Sequence, residues 1–135
     1  MTGMENIDQA LAALDPQIEG RYVYACAPAV PEGLEPFATV REDEGVTLVI
    51  PVEVAEELGF DASQPFTRIT ARGATSLLSV GITATVTSTV ASRGIPCNVI
   101  AGRHHDYFFV PSSREDEALA LLQALSTQAE GWLAD

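Results

Sequence analysis

Positive charge is scarce in this chain: 7 basic residues stand against 19 acidic ones, for a formal net charge of −12. No Lys/Arg cluster interrupts the pattern, so a nucleic-acid backbone or an anionic membrane is repelled over most of the surface, and neither is an expected partner. Cysteine is nearly absent too. Cys26 and Cys97 lie far apart in apolar stretches with no C-x-x-C or Cys/His spacing, which reads as two buried thiols rather than a disulfide or a metal site. No apolar run approaches the ~20 residues that span a bilayer. The opening MTGMENIDQA has neither the basic start nor the apolar core of a signal peptide, so a cytoplasmic protein is expected.

What the chain has is apolar content. At 135 residues and 47% hydrophobic, it suits one compact unit or two small halves sharing a core. The acidic runs at Glu42-Asp43-Glu44, Glu53-Glu56-Glu57 and Glu115-Asp116-Glu117 read as solvated faces and helix starts.

Ile7, Ala10, Leu11 and Leu14 recur at helical spacing until Asp15-Pro16, where proline ends a short helix. Arg21 to Cys26 is β-rich and leads into a loop punctuated by Pro28, Pro31, Gly33 and Pro36. Phe37 to Arg41 and Val46 to Ile50 form a hairpin around a turn ending in Gly45. Pro51 opens a helix from Val52 to Leu58 that Gly59 closes. Phe66 to Ala71 reads as a strand with Phe66, Arg68 and Thr70 on one side and Thr67, Ile69 and Ala71 on the other.

The segment from Val80 to Arg93 admits two readings. Ile82 to Val90 alternates apolar residues with Thr or Ser, as a strand does. Ile82, Val86 and Val90 also share one helical face, and Arg93-Gly94 is a helix stop. Length decides for the helix, because the segment outlasts an ordinary strand of about 5 or 6 residues. Pro96 to Ala101 and Asp106 to Val110 then make a second hairpin. Ser112 and Glu115 have capping-box spacing ahead of a helix with a buried stripe of Ala118, Leu121, Leu122 and Leu125. Trp132, placed beyond that helix, reads as a packing residue that pins the tail.

The two halves echo one another. Thr47-Leu48-Val49-Ile50-Pro51 and Tyr107-Phe108-Phe109-Val110-Pro111 each end a strand and start a helix, with the prolines 60 positions apart (111 − 51). Two small units of this kind are each too small to bury a sheet alone and should share one core.

From Ser79-Val80-Gly81-Ile82 through Gly94-Ile95-Pro96-Cys97-Asn98-Val99 to His104-His105-Asp106 and Pro111, the sequence resembles a bacterial family of small paired ACT-domain proteins related to the ACT modules of the cytosolic arginine sensors. The likeness covers the second half closely and the first half through its hairpin-Pro-helix unit. It implies an α+β fold of two ferredoxin-like βαββαβ halves packed side by side, over 1–61 and 62–135. It further implies amino-acid binding at an interface between units, and regulation without catalysis. On that likeness Gly81 takes the strand-to-helix turn where backbone approaches the ligand, and Cys97, Asn98 and Val99 take the strand across from it. The family's Asp-x-Pro-Gly turn is replaced by Leu78-Ser79-Val80-Gly81, which removes a carboxylate suited to a ligand's ammonium group. No final strand follows the last helix, which leaves strand exchange between the halves open.

The residues themselves support a similar reading. A glycine opening a helix exposes free N–H groups that suit a carboxylate. Ser79 adds a hydroxyl, and Asn98 adds a donor and an acceptor. The plainer alternative is that Ser79 caps the helix and Asn98 satisfies strand-end backbone. The candidate ligand site is therefore Ser79, Val80, Gly81, Ile82, Cys97, Asn98 and Val99, with no cofactor and no metal expected. The competing cluster, His104-His105-Asp106, puts His104 and Asp106 on one face of a strand as a two-ligand or acid/base pair. No further histidine or activated nucleophile supports it. The sequence thus leads to a sensor for an amino acid or similar zwitterion, with a vestigial-pocket interaction module as the alternative. A homodimer is expected because edge strands of such small units readily pair.

Overall fold

A computed structural model of the chain describes residues 7–73 and 81–133. Its elements are α1 (Ile7–Ala12), β1 (Pro16–Ala27), β2 (Ala38–Glu42), β3 (Gly45–Pro51), α2 (Val52–Leu58), β4 (Phe66–Ala71), α3 (Ile82–Ala91), β5 (Asn98–Ala101), β6 (Asp106–Pro111) and α4 (Glu115–Leu133). The last is preceded by a single 3-10 turn over Ser112–Arg114. The strands make one antiparallel six-stranded sheet in the order β2-β3-β1-β4-β6-β5.

That order shows how two incomplete halves become one fold. In a complete βαββαβ unit the fourth strand lies antiparallel beside the first. Here each half brings three strands, and the two first strands, β1 and β4, pair with each other. Each fills the other's missing fourth position, so the halves share one sheet instead of closing two. The sequence echo holds in the register: Tyr22 opposes Pro51 and Phe66 opposes Pro111, while Ala38 opposes Val49 and Asn98 opposes Phe109. The N-terminal half departs from a full repeat where its proline-punctuated stretch 28–37, with no helix, replaces the helix that α3 supplies in the C-terminal half.

The Thr/Ser-rich segment of double periodicity is a helix. Ile82, Val86 and Val90 are its buried residues, and Thr87 and Thr89 donate their hydroxyls back to the carbonyls of Thr83 and Thr85, each at 2.8 Å. This back-bonding satisfies the polar side chains without breaking the helix. On one face of the sheet, α3 and α4 bury Ile69, Ala71, Phe108 and Val110 together with Leu14 and Ile95. α2 covers Val23, Ala25, Leu48 and Ile50. Helix α1 packs Ala10 and Leu11 against Ile82 and Ala129.

The other face curls inward. Phe37, which leads into edge strand β2, contacts Tyr107 of β6 at 4.9 Å between ring centroids, as well as Phe109 at 5.8 Å and Tyr22 at 5.6 Å. Four strand spacings, about 19 Å in a flat sheet, would separate β2 from β6. The aromatic contact therefore requires a strongly coiled sheet, and it buries Phe109 and Val49 on the concave side.

Four local expectations change. Ser112 and Glu115 do not close a capping box: the helix entry has no side-chain cap, and both side chains turn to Thr67 instead. The final helix runs on through Gly131 to Leu133, and Trp132 is 58% exposed on it instead of pinning a tail. Leu121 and Leu125 are only partly buried, and Ser126 and Ala129 complete the buried stripe with Ala118 and Leu122. Cys26 is exposed and Cys97 half-buried, so neither is a core thiol. No helix among the described residues is long and apolar enough to cross a membrane.

Candidate functional site

Ser79 and Val80 lie outside the described residues, and the site is built from the remaining five. Gly81 is the N-cap of α3 at φ +93°, and its carbonyl accepts the first helical bond from the Thr85 amide at 2.8 Å. Only glycine adopts this left-handed conformation without strain. A Cβ at this position would also come within 2.8 Å of Ile7 Cδ1, because α1 packs over the helix start. Ile82 is buried beneath α1 and α4, where it serves the core and has no open face for a ligand.

Cys97, Asn98 and Val99 sit at the other end of α3. The helix finishes at Ala91, the Arg93 carbonyl accepts a bond from Arg114 Nη2 beside the start of α4, and the chain then enters β5. A ten-residue helix is about 15 Å long, so one chain holds Gly81 and the Cys97–Val99 strand apart. Asn98 is exposed on β5, an edge strand, whereas Cys97 and Val99 pack partly against the core. Burial pushes the Cys97 thiol up to about 11, which keeps it protonated and unreactive near neutrality.

The His104-His105-Asp106 cluster is divided. His104 is exposed, whereas Asp106 is only 9% exposed on the helix-facing side of β6, where burial raises its carboxyl pKa. His105 turns to the concave side and meets the Tyr107 ring edge-on at 6.3 Å. Among the described residues no group of three or more His, Cys, Asp or Glu could hold a metal ion.

The concave face carries a polar cluster that sequence reasoning did not assemble. The Arg68 guanidinium lies over Phe37 at 4.6 Å, Tyr22 at 5.3 Å and Tyr107 at 5.5 Å, and it pairs with Glu19 at 3.1 Å. Arg72 grips the same carboxylate through two bonds at 2.6 and 2.7 Å. These bonds outweigh desolvation and hold the Glu19 carboxyl at about 2. The fully buried Thr70 hydroxyl makes no hydrogen bond of standard geometry, yet it lies near enough to Glu19 to favour the charged form. The alternation of Phe66, Arg68 and Thr70 was visible in the strand. Their partners come from positions 19, 22, 37 and 107, which only the topology unites.

Comparison with known proteins places this geometry. Models of the ACT domain match residues 2–67 and again residues 62–124. No match was found among curated proteins. Among solved structures, a Vibrio cholerae protein of unknown function, described as a possible transport protein, is 37% identical with a TM-score of 0.75. That match covers 86% of this chain and 93% of the other. A protein from Agrobacterium tumefaciens superposes with a TM-score of 0.65 at 20% identity, over 82% of this chain and 87% of its own. Aspartokinase alpha and beta subunits give 0.55 at 13% identity, over 82% and 95% respectively. The last two likenesses speak for the fold alone.

Proposed function

The chain belongs to the ACT-domain family, whose domains are typically regulatory modules for small molecules, and from that premise we propose that it is a non-catalytic amino-acid sensor. The ligand, an amino acid or similar zwitterion, lies at a site completed by a second copy of the chain. The halves divide at 61/62, so that β4 opens the C-terminal unit. The observation that carries the reading is the position of Gly81 and the Cys97–Val99 strand at opposite ends of α3, beside an edge strand. Antiparallel pairing of two β5 edges would bring the helix start of one copy to Asn98 of the other. Such pairing would also cover unpaired backbone groups along the edge. The ligand's carboxylate then meets the α3 start, and Asn98 supplies a donor and an acceptor.

Thermal unfolding against the twenty amino acids tests this reading, since a ligand at 100 times its Kd stabilises by about 2.7 kcal/mol. The expected result is a selective rise in Tm with one or a few of them, at least tenfold weaker binding in Asn98→Ala, and affinity that falls on dilution to monomer. No rise with any amino acid would overturn the proposal in favour of an interaction module with a vestigial pocket. Gly81→Val is unsuited to this test. Its positive φ and its contact with Ile7 mean that the substitution disturbs the helix start itself.

A further inference from the structure

A cleft of about 470 Å³ lies at the end of the C-terminal unit away from Gly81, among Pro65, Phe66, Pro96, Pro111, Ser112 and Ser113, with Ser63 and Gln64 at its mouth. The register explains why it exists. Phe66 opposes Pro111 in the β4–β6 ladder, and the chain entering β5 at Asn98 carries Pro96 alongside. The prolines have no amide to donate and present rigid rings instead. The walls are tied together: the Ser112 amide donates to the Pro65 carbonyl at 3.0 Å, and the Ser112 and Thr67 hydroxyls share a hydrogen bond of 2.8 Å. Phe66 is held from behind by the edge of Tyr24, at 5.7 Å between ring centroids.

Two features define what fits. The volume falls in the range of small-ligand pockets, roughly 300–1,000 Å³, and is too small for a helix or a strand pair. No charged side chain lines the cleft, on a protein whose net charge is −12. Two carboxylates stand two residues from its wall, and both are already engaged: Glu115 is bound to Thr67 at 2.7 Å and Arg21 at 3.1 Å, and Asp61 accepts the Ser63 amide at 2.9 Å. In the N-terminal half, Pro51 borders a smaller crevice of about 380 Å³ between the 31–35 loop and α2, which carries Glu32, Glu35 and Glu57. Thus the crevices beside the two equivalent prolines, Pro51 and Pro111, differ in chemistry.

We infer that the C-terminal cleft is a second small-molecule site, separate from the proposed amino-acid site, for an uncharged compound with one apolar ring and a short hydroxyl or amide arm. The ring lies against Phe66 and the proline faces, and the arm reaches the serine hydroxyls and Gln64. An ion is disfavoured because no lining group compensates the loss of its hydration.

Titration of the full-length, isotope-labelled protein with benzyl alcohol, phenylacetate and benzylammonium, followed by amide chemical shifts, tests the inference. Benzyl alcohol should give saturable shifts at Ser63, Gln64, Phe66, Ser112 and Ser113, with the two ions binding at least tenfold more weakly. Ser113→Trp, which fills the cleft from an exposed position, should abolish those shifts. Phe66→Leu should weaken them at least threefold in a protein that keeps its fold. Asn98→Ala should leave them unchanged, which separates this site from the proposed amino-acid site. No saturable shifts at these amides, equal affinity for all three probes, or full affinity retained in both cleft variants would each overturn the proposal.

Discussion

Tyr22 and Phe66 are partners across the β1–β4 ladder and, at the same time, equivalents in the two halves. Tyr22 opposes Pro51 as Phe66 opposes Pro111, and the two aromatic residues oppose each other. The pair marks where the two half-sheets meet, at the end of the ladder that runs back to Pro16 and Ala71. The seam between the halves is therefore the centre of the fold rather than a boundary between independent parts.

One consequence concerns cooperativity. The full chain should unfold in urea as a single transition by both circular dichroism and tryptophan fluorescence, because neither half closes its own sheet. A double-mutant cycle on Tyr22→Ala and Phe66→Ala should give a coupling of about 0.5–1 kcal/mol. Two separated transitions, or strict additivity, would contradict a shared core at this seam.

A second expectation concerns Arg68, whose side chain is only 14% exposed among three rings from both halves. Arg68→Met keeps much of the volume but loses the ion pair and the cation–π contacts. It should cost about 1–2 kcal/mol in urea unfolding. Glu19 retains Arg72 in that variant, which limits the loss.

The third is a pH dependence. The Glu19 carboxyl is held at about 2 against an ordinary value of 4.5, chiefly by its bonds to Arg72. A carboxyl depressed by folding adds stability above its unfolded pKa, and that stability disappears as pH falls through the folded one. At pH 7, Glu19→Gln should therefore lower stability by about 1–2 kcal/mol after allowance for solvent screening. The difference from the parent should shrink between pH 4.5 and 2. A difference independent of pH over that window would place the effect in packing instead.

Finally, the two cysteines should separate in reactivity. Iodoacetamide on the native protein at pH 8 should label exposed Cys26 and spare Cys97, whose thiol is raised to about 11 by burial. Labelling followed by peptide mass mapping gives the ratio directly. Equal rates would mean that the end of the sheet beside Pro96 opens in solution.

Much of this protein was legible from sequence because the relevant signals are local. Proline after a strand, glycine at positive φ after a helix, and apolar residues at spacings of two or four specify each element wherever it ends up, so the hairpins, the short helices and the 60-residue echo could all be read directly. Even the ambiguous Thr-rich segment yielded to its length. Local signals failed where a side chain had a distant competitor for its hydrogen bond. Glu115 has the spacing of a capping residue, but Thr67 and Arg21, 48 and 94 positions away, take its carboxylate. The pairing of β1 with β4, the curl that carries Phe37 to Tyr107, and the separation of Gly81 from Asn98 were decided only by tertiary structure. Each depends on which strand stands beside which, a choice made by the shared burial of two half-sheets that no window along the chain contains.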